Sequence, residues 1–287
     1  MHISDVPYHD RLLDHLQRSV AFALEEDIED GDITAQLVPV NQTVEAQIVA
    51  KEAGVLCGQA WVNEVFAQLD ASVSLSWKLT DGDHFDAGTV LLEMSGNART
   101  ILTAERSALN FLQMLSGTAT LSNHYAHAVD GKNIDLLDTR KTIPGMRLAQ
   151  KYAVKVGGCG NHRLGLYDMF LIKENHIAAA GGIEAAVAAC EAIAPNASIE
   201  VEVENLSEFQ AANALERVDY IMLDELSAED TQIALDTVSA NHQIEISGGV
   251  DLTRLHDVQS FSQRVRISSG LLTKAIQPID LSLRIVG

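Results

Sequence analysis

Residues 9–27 place apolar side chains at helical spacing (Leu12, Leu13, Leu16, Val20, Phe22, Ala23), so the chain opens on an amphipathic helix. An acidic stretch over 25–32 follows, with Asp32-Ile33-Thr34 as a turn or cap. From 44 to 96 the period falls to two. Val44, Ala46, Ile48 and Ala50 alternate with Glu45, Gln47, Val49 and Lys51, and later Val73, Leu75 and Trp77 alternate with serines and Lys78. Asp81-Gly82-Asp83 and Ala87-Gly88 read as turns, and the pattern predicts a small antiparallel sheet with a helix over 60–69. A long helix is expected over 101–129, on the stripe Leu102, Leu109, Leu112, Leu115 and Ala119, with Gly117 as its weak point.

Beyond it, short apolar strands at 134–137, 169–172, 199–203, 220–223, 244–246 and 265–267 alternate with helical segments at 185–193, 206–214, 228–238 and 252–258. Such alternation implies parallel strands, and about six units favour a barrel over an open doubly wound sheet. The expected class is α/β: an α+β domain over 1–115 and a β/α domain over 116–287.

Composition narrows the function. With 47% hydrophobic residues and five prolines, the chain has the makings of a packed globular protein. Its net charge of −20 disfavours non-specific nucleic-acid binding and anionic membranes. Cys57, Cys159 and Cys190 fit no zinc spacing and read as ordinary thiols. The first residues lack the basic and apolar regions of a signal peptide, and the Ala-rich run over 177–194 is interrupted by Glu184 and Glu191. A cytoplasmic location is the expectation.

Positive charge is nevertheless concentrated. The 36 residues of 138–173 hold seven of the twenty basic side chains (Arg140, Lys141, Arg147, Lys151, Lys155, Arg163, Lys173) against Asp138 and Asp168 alone, with His162 in addition. Lys151 and Lys155, four apart, read as a solvated helix face. The others follow strands or glycines: Asp138-Thr139-Arg140-Lys141 follows the strand at 134–137, Asn161-His162-Arg163 follows Gly157-Gly158-Cys159-Gly160, and Lys173 closes the strand at 169–172. Charges at the C-terminal ends of barrel strands face the active-site mouth, and a cationic mouth in an acidic protein implies a polyanionic substrate. Glu200, Glu202 and Glu204 share one face of a strand, and Asp224 ends the next. Such carboxylates bind a metal, a cation or sugar hydroxyls, or for Glu200 and Glu204 pair with the basic cluster. Ser247-Gly248-Gly249 and Ser268-Ser269-Gly270 end the last two strands, the usual place for a phosphate.

Together, Asp138-Thr139-Arg140-Lys141-Thr142-Ile143-Pro144-Gly145, Asn161-His162-Arg163 and Leu171-Ile172-Lys173-Glu174-Asn175-His176 closely resemble the quinolinate phosphoribosyltransferase family. The likeness extends from Gly31-Asp32-Ile33-Thr34 through Glu105-Arg106-Ser107-Ala108 to Asp280-Leu281-Ser282-Leu283-Arg284. It implies a sandwich-like α+β N-terminal domain and an irregular open α/β barrel, with the C-terminal tail free to return to the first domain. It also implies a homodimer with an active site shared across subunits. The reaction implied joins quinolinate and phosphoribosyl pyrophosphate, with Mg²⁺, to give nicotinate mononucleotide, pyrophosphate and CO₂ in NAD synthesis. By motif, Arg106, Arg140, His162 and Arg163 hold the quinolinate carboxylates, and Lys141 and Lys173 serve carboxylate and phosphate charge. Glu202 and Asp224 meet ribose hydroxyls and magnesium. Thr139, Ser247, Gly248, Gly249, Ser269, Gly270, Leu271 and Lys274 complete the substrate contacts, the last two glycine loops taking the 5′-phosphate. Two departures stand out: Lys274 occupies a position that is often His, and Arg264-Val265-Arg266 lacks an expected acid, a change that bears on packing.

Three other readings are weaker. An enzyme using nicotinate would need fewer cations for its single carboxylate. A lipoyl or biotinyl carrier hairpin over 81–96 needs a lysine at its tip, and Lys78 precedes the turn. A non-catalytic phosphate-binding barrel has no use for Glu202 and Asp224.

Overall fold

The computed structural model describes residues 1–249, 251–257 and 261–286. In chain order the first elements are α1 (His9–Ile28), β1 (Thr43–Ala50), β2 (Gly54–Val55), α2 (Gln59–Asp70), β3 (Ser74–Trp77), β4 (His84–Phe85), β5 (Val90–Asn97) and α3 (Ala98–Ala128). Then come β6 (Ile134–Leu137), α4 (Arg147–Val156), β7 (Phe170–Ile172), α5 (Glu174–Ala180), α6 (Ile183–Ile193), β8 (Ile199–Val203), α7 (Leu206–Asn213) and β9 (Tyr220–Asp224). The chain closes with α8 (Ala228–Thr237), β10 (Gln243–Ser247), α9 (Leu252–Asp257), β11 (Val265–Ser268), α10 (Leu271–Lys274) and β12 (Leu281–Val286). Val258, the expected end of α9, lies outside the described residues.

Two compact units result, neither continuous in sequence. The first takes residues 1–124, 142–158 and 272–287, the second 125–141 and 159–271. In the first, an antiparallel sheet runs β12-β1-β5-β3. The alternation along β1 is realised in the pleat: Ala46, Ile48 and Ala50 are buried, while Gln47 and Val49 between them are half-covered. Helix α1 buries Leu12, Leu16, Val20 and Leu24, one stripe at helical spacing. Trp61 of α2 packs against Tyr152 of α4 with ring centroids 5.8 Å apart. The Tyr152 hydroxyl donates to Asp81 at 2.9 Å. Asp81 Oδ1 in turn accepts the backbone N–H groups of Gly58 and Gln59 that open α2.

Lys151 is wholly buried, not part of a solvated face, and only Lys155 is partly exposed. The run from Ala149 to Val154 is covered all round, so α4 has no open side in its middle. Its neighbour Gln150 donates to the Thr273 carbonyl and accepts from the Ile143 N–H, both at 2.8 Å.

The second unit is a six-stranded parallel sheet in the order β6-β11-β10-β9-β8-β7. Strands consecutive in sequence are neighbours from β7 to β11, and β11 returns to pair with β6. A doubly wound sheet would reverse direction at a switch point; this one winds a single way and comes back to its start. It is therefore an α/β barrel left open between β6 and β7, bridged at one point by Leu137 and Gly160. The register aligns Glu202, Met222, Glu245 and Arg266 across adjoining strands, so the pleat carries all four on one face. The alternate residues of β8, Ile199, Val201 and Val203, are fully buried on the other.

Candidate active site

All six strands of the second unit run parallel, so their C-terminal ends gather at one rim. Asp138-Thr139-Arg140-Lys141 follows β6, Lys173 follows β7, Glu202 and Glu204 flank the end of β8, and Asp224 closes β9. Ser247-Gly248-Gly249 closes β10 and Ser268-Ser269-Gly270 closes β11.

Asp138 organises the basic side. It is fully buried, and its carboxylate accepts the His162 backbone N–H at 3.0 Å and the Asn161 side-chain amide at 2.7 Å. This ties Asn161-His162-Arg163 to the end of β6, where Arg140 stands. Arg163 is partly buried; that burial first, and the nearby Arg140 guanidinium second, pull it below the ordinary arginine range. Two guanidinium groups held within each other's field favour an arriving anion. Lys173 forms an ion pair with Glu202 across the rim.

His162 is buried, and both its nitrogens are engaged. Nδ1 accepts the Arg163 backbone N–H at 2.7 Å, and Nε2 lies 2.8 Å from Glu200 and 3.3 Å from Glu245. Burial alone would weaken the ring's hold on a proton; the two carboxylates strengthen it by more than burial takes away. The Arg163 backbone N–H lies against Nδ1, and Nε2 presents its proton between the two carboxylates, which push the ring's pKa up to about 9. Burial drives the Glu200 carboxyl upward. Burial acts the same way on Glu245, but His162 and Arg266 outweigh it and hold that carboxyl below its usual range. Of the acids expected to pair with basic groups, Glu200 does so with His162, whereas Glu204 is exposed beside other acids.

The Ser-Gly loops come close to this rim. Gly248 and Gly249 adopt positive φ (101° and 57°), as a tight turn after β10 requires. A Cβ on Gly248 would fall 2.8 Å from the Glu225 side chain. At Gly270 a Cβ would fall 2.9 Å from Lys141 Cδ and 3.4 Å from Thr139 Oγ1, so the β11 loop lies directly against the β6 loop and a side chain there would displace Lys141. Ser269 is buried, with its backbone N–H committed to Leu137 at 2.9 Å, while Leu271 N–H reaches its Oγ at 3.3 Å.

Arg106 and Lys274 belong to the first unit. Arg106 is exposed on α3 and lines a cleft with Arg18, Phe22, Asn110, Ile143 and Met146; Lys274 is exposed at the end of α10.

Asp138, Glu245 and Arg266 went unassigned from sequence. A signal for the last two existed: Gln243-Ile244-Glu245-Ile246-Ser247 alternates polar with apolar inside a parallel strand, which marks an inner polar face.

Fold and rim together define a class: an open α/β barrel that gathers arginines, lysines, paired carboxylates and glycine loops to receive a polyanion. The chain belongs to the quinolinate phosphoribosyltransferase family. Residues 32–116 match the family's N-terminal domain and 118–284 its C-terminal domain. It is 40% identical over 259 residues to a probable carboxylating nicotinate-nucleotide pyrophosphorylase of Bacillus subtilis, covering 90% of this chain and 89% of that one. It is 38% identical to decarboxylating quinolinate phosphoribosyltransferase 1 of Nicotiana glauca, covering 94% and 82%. The solved structure of nicotinate-nucleotide pyrophosphorylase from Francisella tularensis, 44% identical, covers 100% of this chain and 99% of that one with a TM-score of 0.92.

Proposed function

We propose that this protein transfers the phosphoribosyl group of phosphoribosyl pyrophosphate to quinolinate with loss of CO₂, giving nicotinate mononucleotide and pyrophosphate for NAD synthesis. The observation that carries the reading is the pairing of Arg140 and Arg163 within each other's field at the rim, beside the Lys173–Glu202 ion pair. Two guanidinium forks suit the two adjacent carboxylates of a pyridine dicarboxylate better than the single carboxylate of nicotinate.

The pyridine nitrogen is the nucleophile, so the protein need supply no nucleophilic side chain. Its task is orientation and charge. Arg140 and Arg163 fix the ring; Lys141 and Lys173 offset phosphate and carboxylate charge. Thr139 and the loops Ser247-Gly248-Gly249 and Ser269-Gly270-Leu271 receive the 5′-phosphate, with Lys274 adding a cation. Once the nitrogen is alkylated, the adjacent positive charge stabilises the electron pair left on the ring carbon as its carboxylate leaves as CO₂, and that carbon then takes a proton from solvent.

Glu202 and Asp224 fit Mg²⁺, which typically takes one or two carboxylates and completes its shell with phosphate oxygens and water. They end adjoining strands, and the acids at this end of β8 repel one another. Glu174 first, then Glu208, Asp224 and Glu202 as well as slight burial, lift the Glu204 carboxyl. Bound there, Mg²⁺ would neutralise the departing pyrophosphate; Glu202 would also steady the ribose hydroxyls and Lys173.

In this reading the active form is a homodimer in which Arg106 of one subunit completes the partner's pocket. The location is cytoplasmic; among the described residues no single helix is long and apolar enough to cross a membrane. With quinolinate, phosphoribosyl pyrophosphate and Mg²⁺, the purified protein forms nicotinate mononucleotide. Equal turnover of nicotinate, or activity that survives full chelation, overturns the reading.

A further inference from the structure

Arg266 introduces a cation where the family pattern led us to expect an acid, and it does more than pack. Its guanidinium is 3.0 Å from Glu245 Oε2 and lies 3.9 Å over the Tyr220 ring, with the side chain 10% exposed. Glu245 is fully buried, and its other oxygen faces His162 Nε2 at 3.3 Å. The ring's far nitrogen accepts the backbone N–H of Arg163 at 2.7 Å. A continuous chain of contacts therefore runs Arg266–Glu245–His162–Arg163, from the buried inside of the barrel to the rim.

We propose that Glu245 and Arg266 are positioning residues for substrate recognition: they fix the orientation of the His162 ring, and through it the place of Arg163. The inference rests on the reading of Arg163 as a ligand of the quinolinate carboxylates. The ring stays beside the Arg163 backbone N–H only while its far edge is held, and its Nε2–H needs an acceptor inside the barrel to hold it. Glu200 and Glu245 are the acceptors in reach. Arg266, 3.0 Å from Oε2, occupies the second oxygen of Glu245, so the carboxylate has one orientation to offer. This resembles the outer-shell carboxylates that hold metal-bound histidines in place, here serving a backbone amide instead.

The same three side chains, His162, Glu200 and Glu245, put ligand atoms within 4.8 Å of one another, as a metal site would. A metal would have to displace the Nε2 proton and share Glu245 with a guanidinium. The positioning role uses every group as it stands.

The role separates from a merely structural one because an ion pair inside a protein is often replaceable by apolar residues without loss of stability. Glu245→Gln keeps the shape and removes the charge. It is expected to raise the quinolinate KM about tenfold, roughly the effect of one charge-assisted hydrogen bond, with kcat and the phosphoribosyl pyrophosphate KM nearly unchanged. Arg266→Met gives the same split and Arg266→Lys recovers most of it. Should the single variants fold poorly, the double variant Glu245→Leu/Arg266→Met removes both charges together. It is expected to melt near wild type yet bind quinolinate about tenfold more weakly by calorimetry. In a His162→Ala background, Glu245→Gln adds nothing further.

Normal quinolinate binding in a well-folded double variant overturns the proposal, as does an equal rise of both KM values or full additivity with His162→Ala. If the wild-type protein neither binds nor turns over quinolinate, the functional reading itself fails and this inference falls with it.

Discussion

The carbonyl oxygen of Gln277 lies 2.2 Å from where a Cβ on Gly117 would sit, so the strand-ward return of the C-terminal segment runs directly across helix α3. A glycine that weakens a helix by its propensity is here the only residue that lets two backbones touch. Gly117→Ala is therefore expected to destabilise, despite alanine's better helix propensity, by about 1–3 kcal/mol or more. The check is a thermal melt, with the midpoint several degrees lower. Unchanged stability would mean that the tail is not packed on α3.

Arg140→Lys keeps the charge and loses the fork. Quinolinate binding or turnover is expected to fall at least about tenfold, with the thermal melt near wild type. Steady-state kinetics decide it, and normal constants would give Arg140 a structural role.

Cys159 is buried close to Asp138, and burial first, then that carboxylate, push its thiol up to about 12. A group whose folded pKa is raised supports stability below its unfolded pKa and loses that support as pH climbs toward the folded one. Resistance to denaturant should thus fall between pH 9 and about 12, and Cys159→Ala should flatten that decline. An unchanged slope in the variant would place the loss elsewhere, with Cys57, also raised by burial, as the next thiol to replace.

Homodimers carrying Arg106→Ala or Arg140→Ala should each be nearly inactive. After reversible dissociation and mixing, about half the dimers are mixed, and in a cross-subunit site each mixed dimer has one intact pocket. Activity should then recover to about a quarter of wild type. Verified subunit exchange without recovery would place both arginines in the same subunit's pocket.

Much of this molecule is legible in its sequence because the informative patterns are local. The alternation Val44, Ala46, Ile48, Ala50 became β1 with the expected face buried, and the six apolar runs became β6 to β11 with shifts of a residue or so. Polar residues at strand ends, such as Asp224 and Lys173, reached one rim because parallel strands share a direction. What escaped is non-local. Lys151 and Lys155 look alike as a spacing, yet only packing around α4 decides that one is buried. Nothing around residues 142–158 announces that they join the first unit, since that depends on partners such as Asp81 and Thr273 far away in the chain. Arg266 read as a departure bearing on packing; its meaning depends on Glu245, visible only once the register of β10 and β11 is known.

The central claim is that this rim couples ribosyl transfer to loss of a carboxylate, and the most direct test follows that carboxylate. With quinolinate labelled in the carboxyl group next to the ring nitrogen, labelled CO₂ should appear only when phosphoribosyl pyrophosphate and Mg²⁺ are both present. It should match nicotinate mononucleotide one for one. Nucleotide formed without CO₂, or CO₂ released without phosphoribosyl pyrophosphate, would contradict the account.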